Sequence, residues 1–399
     1  MNHSVNHTPE DEINGRLKEL QRFLMRQEID GALILQNTDL FYFSGTIQQA
    51  HLFVPASGEP VLLVRKSLER ARTESAVAAI LPITSSRQIP DLLREKGHCL
   101  TNRIGLELDV LPTNLYFYYQ QLFPKAELTD IADAVRMMRS VKSPYEIGLM
   151  REAARLSDQV AGHVGEVLCE GITEIELAGK VEACARKLGH QGIIRMRMWG
   201  NEMFYGHLMS GPAAAVPSYM ASPTGGAGIS PAVAQGPGQR RIRPYEPVLI
   251  DYVFAHQGYL SDHTRIFALK GLPDDLLAAH AAMLDLQALL KKMAKPGVAA
   301  GDIYRAALDR VDQLGYADHF MGCGDQRIRF VGHGIGLELD EYPFLAEGQQ
   351  LQLQEGMTVA LEPKLVFPGK GVVGIENTHV VTAKGLEQLT RFEEGVIVL

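Results

Sequence analysis

The chain is poor in cysteine, has a single tryptophan and lacks any long apolar run, and each shortage narrows what it can be. Its 4 cysteines, Cys99, Cys169, Cys184 and Cys323, are far apart and form no CxxC pair, which excludes a disulfide framework and a cysteine-based zinc or redox motif. They read as reduced thiols. Nowhere do about 18 uncharged apolar residues follow one another, so no membrane-spanning segment is expected, and the opening MNHSVNHTPEDE holds no apolar leader. Positive charge is also short: 39 Lys and Arg face 47 Asp and Glu, a net charge of −8, so there is no basic footprint for a phosphate backbone. Neither nucleic acid nor membrane is expected as a partner, and the expected location is cytoplasmic.

What is present is a globular composition, 46% hydrophobic and 22% charged over 399 residues, enough for two or three domains. Residues 1–12 are polar and read as a disordered tail. From Ile13 to about residue 140 helical and strand periods alternate: Leu17, Leu20, Phe23 and Leu24 recur at helical spacing. Short apolar runs at Ala32–Leu35, Val61–Val64 and Ile104–Leu108 have the character of buried strands. This is an α/β domain of modest size. At Ser143-Pro144-Tyr145-Glu146 a capping box with proline in the first turn announces a long helix, and with it a second domain over residues 141–399. The stretch Gly211–Gly238 is rich in Gly, Pro, Ala and Ser and reads as a long loop beside a site.

The chemistry is signalled by acids in strands that are otherwise apolar. Val248–Phe254 carries Asp251 at its centre, and after the turn-prone His256-Gln257-Gly258 the run Tyr259–Phe267 carries Asp262. A two- or four-residue loop centred between His256 and Gln257 sets the two aspartates directly opposite on one face; other loop lengths place them on a diagonal. Like charges so close require something positive between them: a shared proton, Arg265 as counterion, or a metal cation. Two further strands, Thr358–Pro363 with Glu362 and Val372–Asn377 with Glu376, repeat the oddity. His333 lies in Gly332-His333-Gly334-Ile335-Gly336, where flanking glycines let an imidazole approach a crowded place. Alone, each reads as a turn residue or a solvated acid. Together, four acids and one imidazole balance two divalent cations, and oxygen-rich ligation with one imidazole favours Mn, Fe, Co or Zn.

That order of Asp, Asp eleven residues on, a GHGIG histidine, a Glu after Leu361 and a Glu in Gly374-Ile375-Glu376-Asn377 resembles the pita-bread metallopeptidases. Xaa-Pro aminopeptidase, prolidase, methionine aminopeptidase and creatinase belong to that family. Asn37–Gly45 and Lys142–Ile147 resemble the N-terminal domain and linker of its Xaa-Pro branch. The resemblance implies an α/β (α+β) architecture, with a small creatinase-like domain followed by a pita-bread domain. It also implies a homodimer and cleavage of the bond before proline in a small peptide or amide. Asp251, Asp262, His333, Glu362 and Glu376 would ligate two divalent metal ions, with Asp262 and Glu376 bridging and Glu362 shuttling the proton of the attacking water.

Departures from the family pattern fall among the groups that grip substrate. Asp340 stands where the family has a histidine, Ser218 where a second usually follows the Ser-Gly-Pro segment, Arg329 near a third, and Gly374 in place of an arginine. Asp340 is a candidate acid or amine anchor, and His207 and His263 are candidate substitutes for the missing imidazoles. Arg240, Arg241 and Arg243 are a candidate attractor of an acidic substrate group or a solvated basic turn. The departures motivate an alternative substrate, a small non-peptide C–N compound of the creatinase or ectoine-hydrolase kind; a relic fold without activity is the remaining alternative. Those five side chains pointing apart, or arginine and lysine filling the gap between them, would collapse the hydrolase assignment.

Overall fold

A computed structural model describes residues 7–98 and 100–399. Cys99 and residues 1–6 of the expected tail lie outside them. The chain divides into two compact units, Met1–Arg139 and Ser140–Leu399.

In the first unit, helix Glu10–Arg26 starts inside the segment expected to be a tail. Three acids, Glu10, Asp11 and Glu12, occupy its first turn, where the helix dipole favours negative charge, and Ile13, Leu17, Leu20 and Leu24 make its buried stripe. Six short strands form one mixed sheet in the order β4-β3-β2-β1-β5-β6. They are β1 (Gly31–Ile34), β2 (Ala50–Pro55), β3 (Val61–Val64), β4 (Ala79–Pro82), β5 (Arg103–Leu106) and β6 (Glu127–Asp130). The apolar runs of the sequence are these strands: Leu33, Phe53, Leu63, Ile104 and Leu106 enter one core with Leu93 and Tyr119 from the helices. The Asn37–Gly45 motif forms a helix, capped by the Gln36 side chain accepting from the Asp39 amide and ended by Gly45 at φ 77°.

The second unit opens as its capping box requires. Ser143 Oγ accepts from the Glu146 amide at 3.2 Å, Glu146 returns the bond to the Ser143 amide at 2.8 Å, and the helix runs Pro144–Val167. Its sheet follows the order β11-β10-β12-β15-β9-β8-β7, with β16 (Gly385–Gln388) added beside β15. The strands are β7 (Gly206–Ser210), β8 (Val248–His256), β9 (Tyr259–Ala268), β10 (Phe330–Gly334), β11 (Glu341–Ala346), β12 (Thr358–Leu361) and β15 (Glu376–Thr382). Between β12 and β15 the chain makes a separate hairpin of β13 (Lys364–Phe367) and β14 (Gly371–Gly374). Val248, Ile250, Tyr252, Phe254 and Phe267 turn to one face and pack on helices Pro144–Val167 and Glu174–Lys187. Because strand side chains alternate, Asp251 and Asp262 turn to the other face. Among the described residues no helix is long and apolar enough to cross a membrane, and Cys169, Cys184 and Cys323 are free thiols.

A candidate metal centre shared with a lysine

The turn joining β8 and β9 has two residues, Gln257 at φ 49° and Gly258 at φ 92°, both in the left-handed region that tight hairpins use. It pairs His256 with Tyr259, and hence Asp251 with Thr264 and Val253 with Asp262. The two aspartates therefore share a face on a diagonal rather than standing directly opposite, because the loop is centred one residue later than the opposed arrangement needs.

Register across the neighbouring strands assembles the rest. His207 pairs with Asp251, Asp251 with Thr264 and Thr264 with Glu376. Glu362 lies one residue beyond the last β12–β15 pair, Leu361 with Asn377, which sets it beside Glu376. His207, Asp251, Thr264, Glu376 and Glu362 thus form one row across five strands. The adjacent row on the same face brings Asp262 and His333, the latter paired with Ala360. Residues up to 169 positions apart in sequence converge because side chains of neighbouring strands at one level stand about 5 Å apart.

His333 Nδ1 donates to the Gly334 carbonyl at 3.0 Å, with Asp340 Oδ1 3.6 Å away, so Nε2 is the nitrogen that faces the acids. Around Nε2 stand Glu362 Oε1 at 3.8 Å, Asp262 Oδ2 at 4.0 Å and Glu376 Oε1 at 4.0 Å. Asp262, His333 and Glu376 each offer a ligand atom within 4.8 Å of the others, a grouping able to hold one metal ion. Asp262 is fixed by its amide donating to Thr378 Oγ1 at 2.8 Å, and Glu376 by Thr264 Oγ1 donating to its Oε2 at 2.8 Å.

On the far side of the same carboxylates lies a lysine, the kind of filling cation named above as the finding against a hydrolase; it sits on Asp251, Glu362 and Glu376. Lys364, the first residue of β13, sends Nζ to Glu362 Oε2 at 2.7 Å, Glu376 Oε2 at 2.7 Å and Asp251 Oδ2 at 3.2 Å. Its three N–H donors meet three carboxylates, and its side chain is 1% exposed. The sequence did hold a signal: a lysine directly after Glu362-Pro363, heading an apolar strand, has no reason to be there unless it is solvated or paired. Gly374 faces it across the hairpin, and a Cβ at that glycine would lie 2.9 Å from Lys364 Cγ. The arginine expected at position 374 is excluded first by the backbone, since the same Cβ would meet the Pro363 carbonyl at 2.5 Å and Lys364 Cα at 2.7 Å.

Burial opposes the charge on Lys364, but Asp251, Glu362 and Glu376 outweigh it and hold its pKa well above the usual lysine range. Burial, reinforced by Glu376 and Asp251, pushes the Asp262 carboxyl well up. Glu376 rises to about 7 through burial, although Lys364 pulls it down. For His333, burial favours the neutral ring, yet Asp340, Glu362 and Glu376 draw its pKa upward. Both the imidazole and the carboxyls are thus held where a positive charge would be stabilising.

Of the substitutes considered for the missing imidazoles, His207 is at the site and His263 is not. Buried His207 donates from Nε2 to Gln235 Oε1 at 3.0 Å, an orientation fixed because the Gln235 amide group donates to the Glu202 carbonyl at 2.8 Å. Its Nδ1 then accepts from Thr224 Oγ1 at 3.0 Å, and the same hydroxyl lies 3.4 Å from Asp251 Oδ2. Thr224 and Gln235 come from the long loop, which is therefore anchored over the Asp251 end of the row. Burial lowers the pKa of His207 and keeps the ring neutral. His263 alternates to the helix face, where its Nδ1 meets Ser157 Oγ at 3.1 Å. Arg329 is 81% exposed and 3.5 Å from Glu347, away from the acids. Arg240 is engaged by both Glu246 oxygens at 2.5 Å, and Arg241 by the Gly171 carbonyl at 2.7 Å, so those two brace the chain locally.

Comparison with known proteins gives two family matches: metallopeptidase family M24 over residues 148–383 and the creatinase/prolidase N-terminal domain over residues 16–141. An Xaa-Pro dipeptidase of Pyrococcus horikoshii is 27% identical over 394 residues, covering 97% of this chain and 100% of the relative. One of Pyrococcus furiosus is 26% identical over 96% of this chain and 99% of its own. Among solved structures, the prolidase of Pyrococcus horikoshii superposes with a TM-score of 0.79 at 25% identity, covering 95% of this chain and 99% of that one. An Xaa-Pro dipeptidase of Bacillus anthracis has the same fold, at a TM-score of 0.83, 24% identity and coverage of 97% and 100%.

Proposed function

The chain belongs to metallopeptidase family M24, and from that premise we propose that it hydrolyses the amide bond before proline in short peptides, as a divalent-metal-dependent Xaa-Pro peptidase. The observation that carries this reading is the pair of adjacent rows that gathers Asp251, Asp262, Glu362, Glu376 and His333 on one face of a buried sheet. Two relatives named Xaa-Pro dipeptidase, matched over nearly their whole length, support the substrate class.

The donor set fits one divalent ion, held by His333 Nε2, Asp262 Oδ2 and Glu376 Oε1, with Glu362 Oε1 3.8 Å from the imidazole nitrogen beside it. It does not fit two without displacing the Lys364 ammonium, which lies among the other carboxylate oxygens. When bound, such an ion supplies an acidified water and a Lewis acid for the scissile carbonyl. Glu362 is the group assigned to proton transfer: Oε1 faces the ligand side and is free to take a proton and return it to the leaving nitrogen, while the Lys364 hydrogen bond to Oε2 holds the carboxylate in place. The Gly334 carbonyl orients the His333 ring, with the Asp340 carboxylate 3.6 Å from Nδ1 adding its charge, and His207, with Thr224 and Gln235, positions the loop at the Asp251 end. Mn, Fe, Co and Zn suit the donors equally. We assign a cytoplasmic location, in keeping with the free thiols, and a homodimer, motivated by the exposed apolar side chains Ile193, Met198 and Trp199; sedimentation as a monomer would remove the latter.

The test is cleavage of a panel of Xaa-Pro dipeptides and tripeptides, followed by chromatography after metal is restored. Release of proline or a proline-led product is expected. No turnover across the panel by metal-loaded protein would refute the peptidase reading. A second reading, hydrolysis of a small non-peptide C–N compound, is favoured by Asp340 beside His333 and by the lysine in the site. Turnover of cyclic amides or amidines, with the peptides left intact, would select it.

A further inference from the structure

We infer that the Lys364 ammonium is the permanent occupant of one of the two cation positions in this centre, so that the chain binds one divalent ion rather than two. The inference rests on the assignment of Asp262, His333 and Glu376 as metal ligands. Its ground is how the carboxylate oxygens are shared. Glu362 and Glu376 are split: each gives Oε2 to Lys364 Nζ at 2.7 Å and turns Oε1 toward His333 Nε2, at 3.8 and 4.0 Å. Asp251 Oδ2 joins the lysine side at 3.2 Å and Asp262 Oδ2 the imidazole side at 4.0 Å. The face therefore carries two cation positions, one with three oxygens already hydrogen-bonded to an ammonium and one with an imidazole nitrogen and three oxygens.

The lysine is built into this place by the fold. Its carbonyl accepts from the Met321 amide at 3.0 Å, its own amide is 3.4 Å from the Met321 sulfur, and its side chain is 1% exposed. Position 374 across the hairpin carries no side chain, and a Cβ there would stand 2.9 Å from Lys364 Cγ and nearer still to the Pro363 carbonyl and Lys364 Cα. Charge gives the same answer. Four carboxylates and one ammonium leave −3, which a single divalent ion brings to −1, whereas a second ion would be pressed against the ammonium by like-charge repulsion. With Oε2 of Glu376 held by the ammonium, Glu376 cannot bridge a metal pair together with Asp262 in the way the family resemblance implies.

Stoichiometry decides the matter independently of activity. Protein stripped with chelator is titrated with Mn²⁺ and bound metal is counted by equilibrium dialysis and elemental analysis, with electron paramagnetic resonance at saturation. One ion per chain with an isolated six-line signal is expected for the wild type, and two ions with an exchange-coupled signal for Lys364→Met. Lys364→Ala serves as the second variant where Lys364→Met does not fold. Two ions per chain in the wild type, or none, would overturn the inference, as would either folded variant remaining at one. A one-ion protein that cleaves no Xaa-Pro peptide would sink the proposed activity and leave this inference standing; a two-ion peptidase would do the reverse.

Discussion

Among the described residues Arg265 is the largest fully buried one, and removing its guanidinium is the most direct test of what aligns the acid-bearing strands. It alternates to the helix face of β9 and there ties three segments together. Nη1 donates to the Thr264 carbonyl at 2.8 Å and the Glu376 carbonyl at 3.0 Å, and Nη2 to Asn377 Oδ1 at 2.9 Å and the Phe392 carbonyl at 2.8 Å. Burial lowers its pKa to about 10, with Glu394 and Asp158 opposing, so the cation persists at neutral pH. Arg265→Met deletes these charge-assisted bonds, each contributing roughly 1.5–3 kcal/mol, but it also removes the desolvation cost of a buried cation. Asn377 Oδ1 keeps the Thr390 hydroxyl at 2.7 Å, which limits the damage there. The net expectation is a loss of about 3–5 kcal/mol, of the size seen when one partner of a buried ionic network is deleted. Arg265→Lys, which keeps the charge but cannot span all four acceptors, should fall about midway. Urea denaturation monitored by circular dichroism gives the number, and a parallel metal titration reports whether Glu376 has moved. An Arg265→Met protein within about 1 kcal/mol of wild type would refute the claim that this guanidinium sets the β9–β15 alignment.

Glu362→Gln should lower kcat by roughly 10²- to 10⁴-fold, the usual worth of a positioned proton carrier, while metal remains bound; a loss under tenfold, measured on metal-loaded protein, would remove that role. His379, in the core with its pKa lowered to about 3 by burial and by Lys291, contributes to acid lability. Its folded pKa lies below the ordinary 6.5, so the unfolded chain takes up the proton first and stability falls as pH drops from about 6.5 toward 3, by at most roughly 5 kcal/mol. His379→Leu should flatten that part of the stability–pH curve, and an unchanged acid limb in denaturant titrations at several pH values would contradict it. Gly374→Arg should destabilise strongly, because a Cβ there meets the Pro363 carbonyl at 2.5 Å and Lys364 Cα at 2.7 Å, and adding Lys364→Gly, which removes neither contact, should recover little of the loss; thermal melts of both proteins check the pair.

The sequence was most legible where local rules are strict. The capping box at Ser143 and Glu146, the apolar runs that became β1, β3 and β5, and acids interrupting apolar strands each depend on neighbours within a few residues. The same locality caused the misreadings. Asp251 and Asp262 are diagonal because the turn is centred on Gln257-Gly258, a shift of one residue that hydropathy does not register. His263 was a candidate for the site because its residue type suits one, yet strand alternation commits it to the opposite face once Asp262 faces the acids. Lys364 was overlooked because a single lysine at the head of a strand is ordinarily a solvated end.

By itself the sequence determined that Asp251, Asp262, His333, Glu362 and Glu376 would need a positive charge among them, since four acids in apolar strands are too costly to bury otherwise. What supplies that charge was decided by tertiary structure. The register of five strands and the β13–β14 hairpin bring an ammonium from one side and leave the imidazole side to an ion, and no pattern along the chain encodes where two separate segments meet in space.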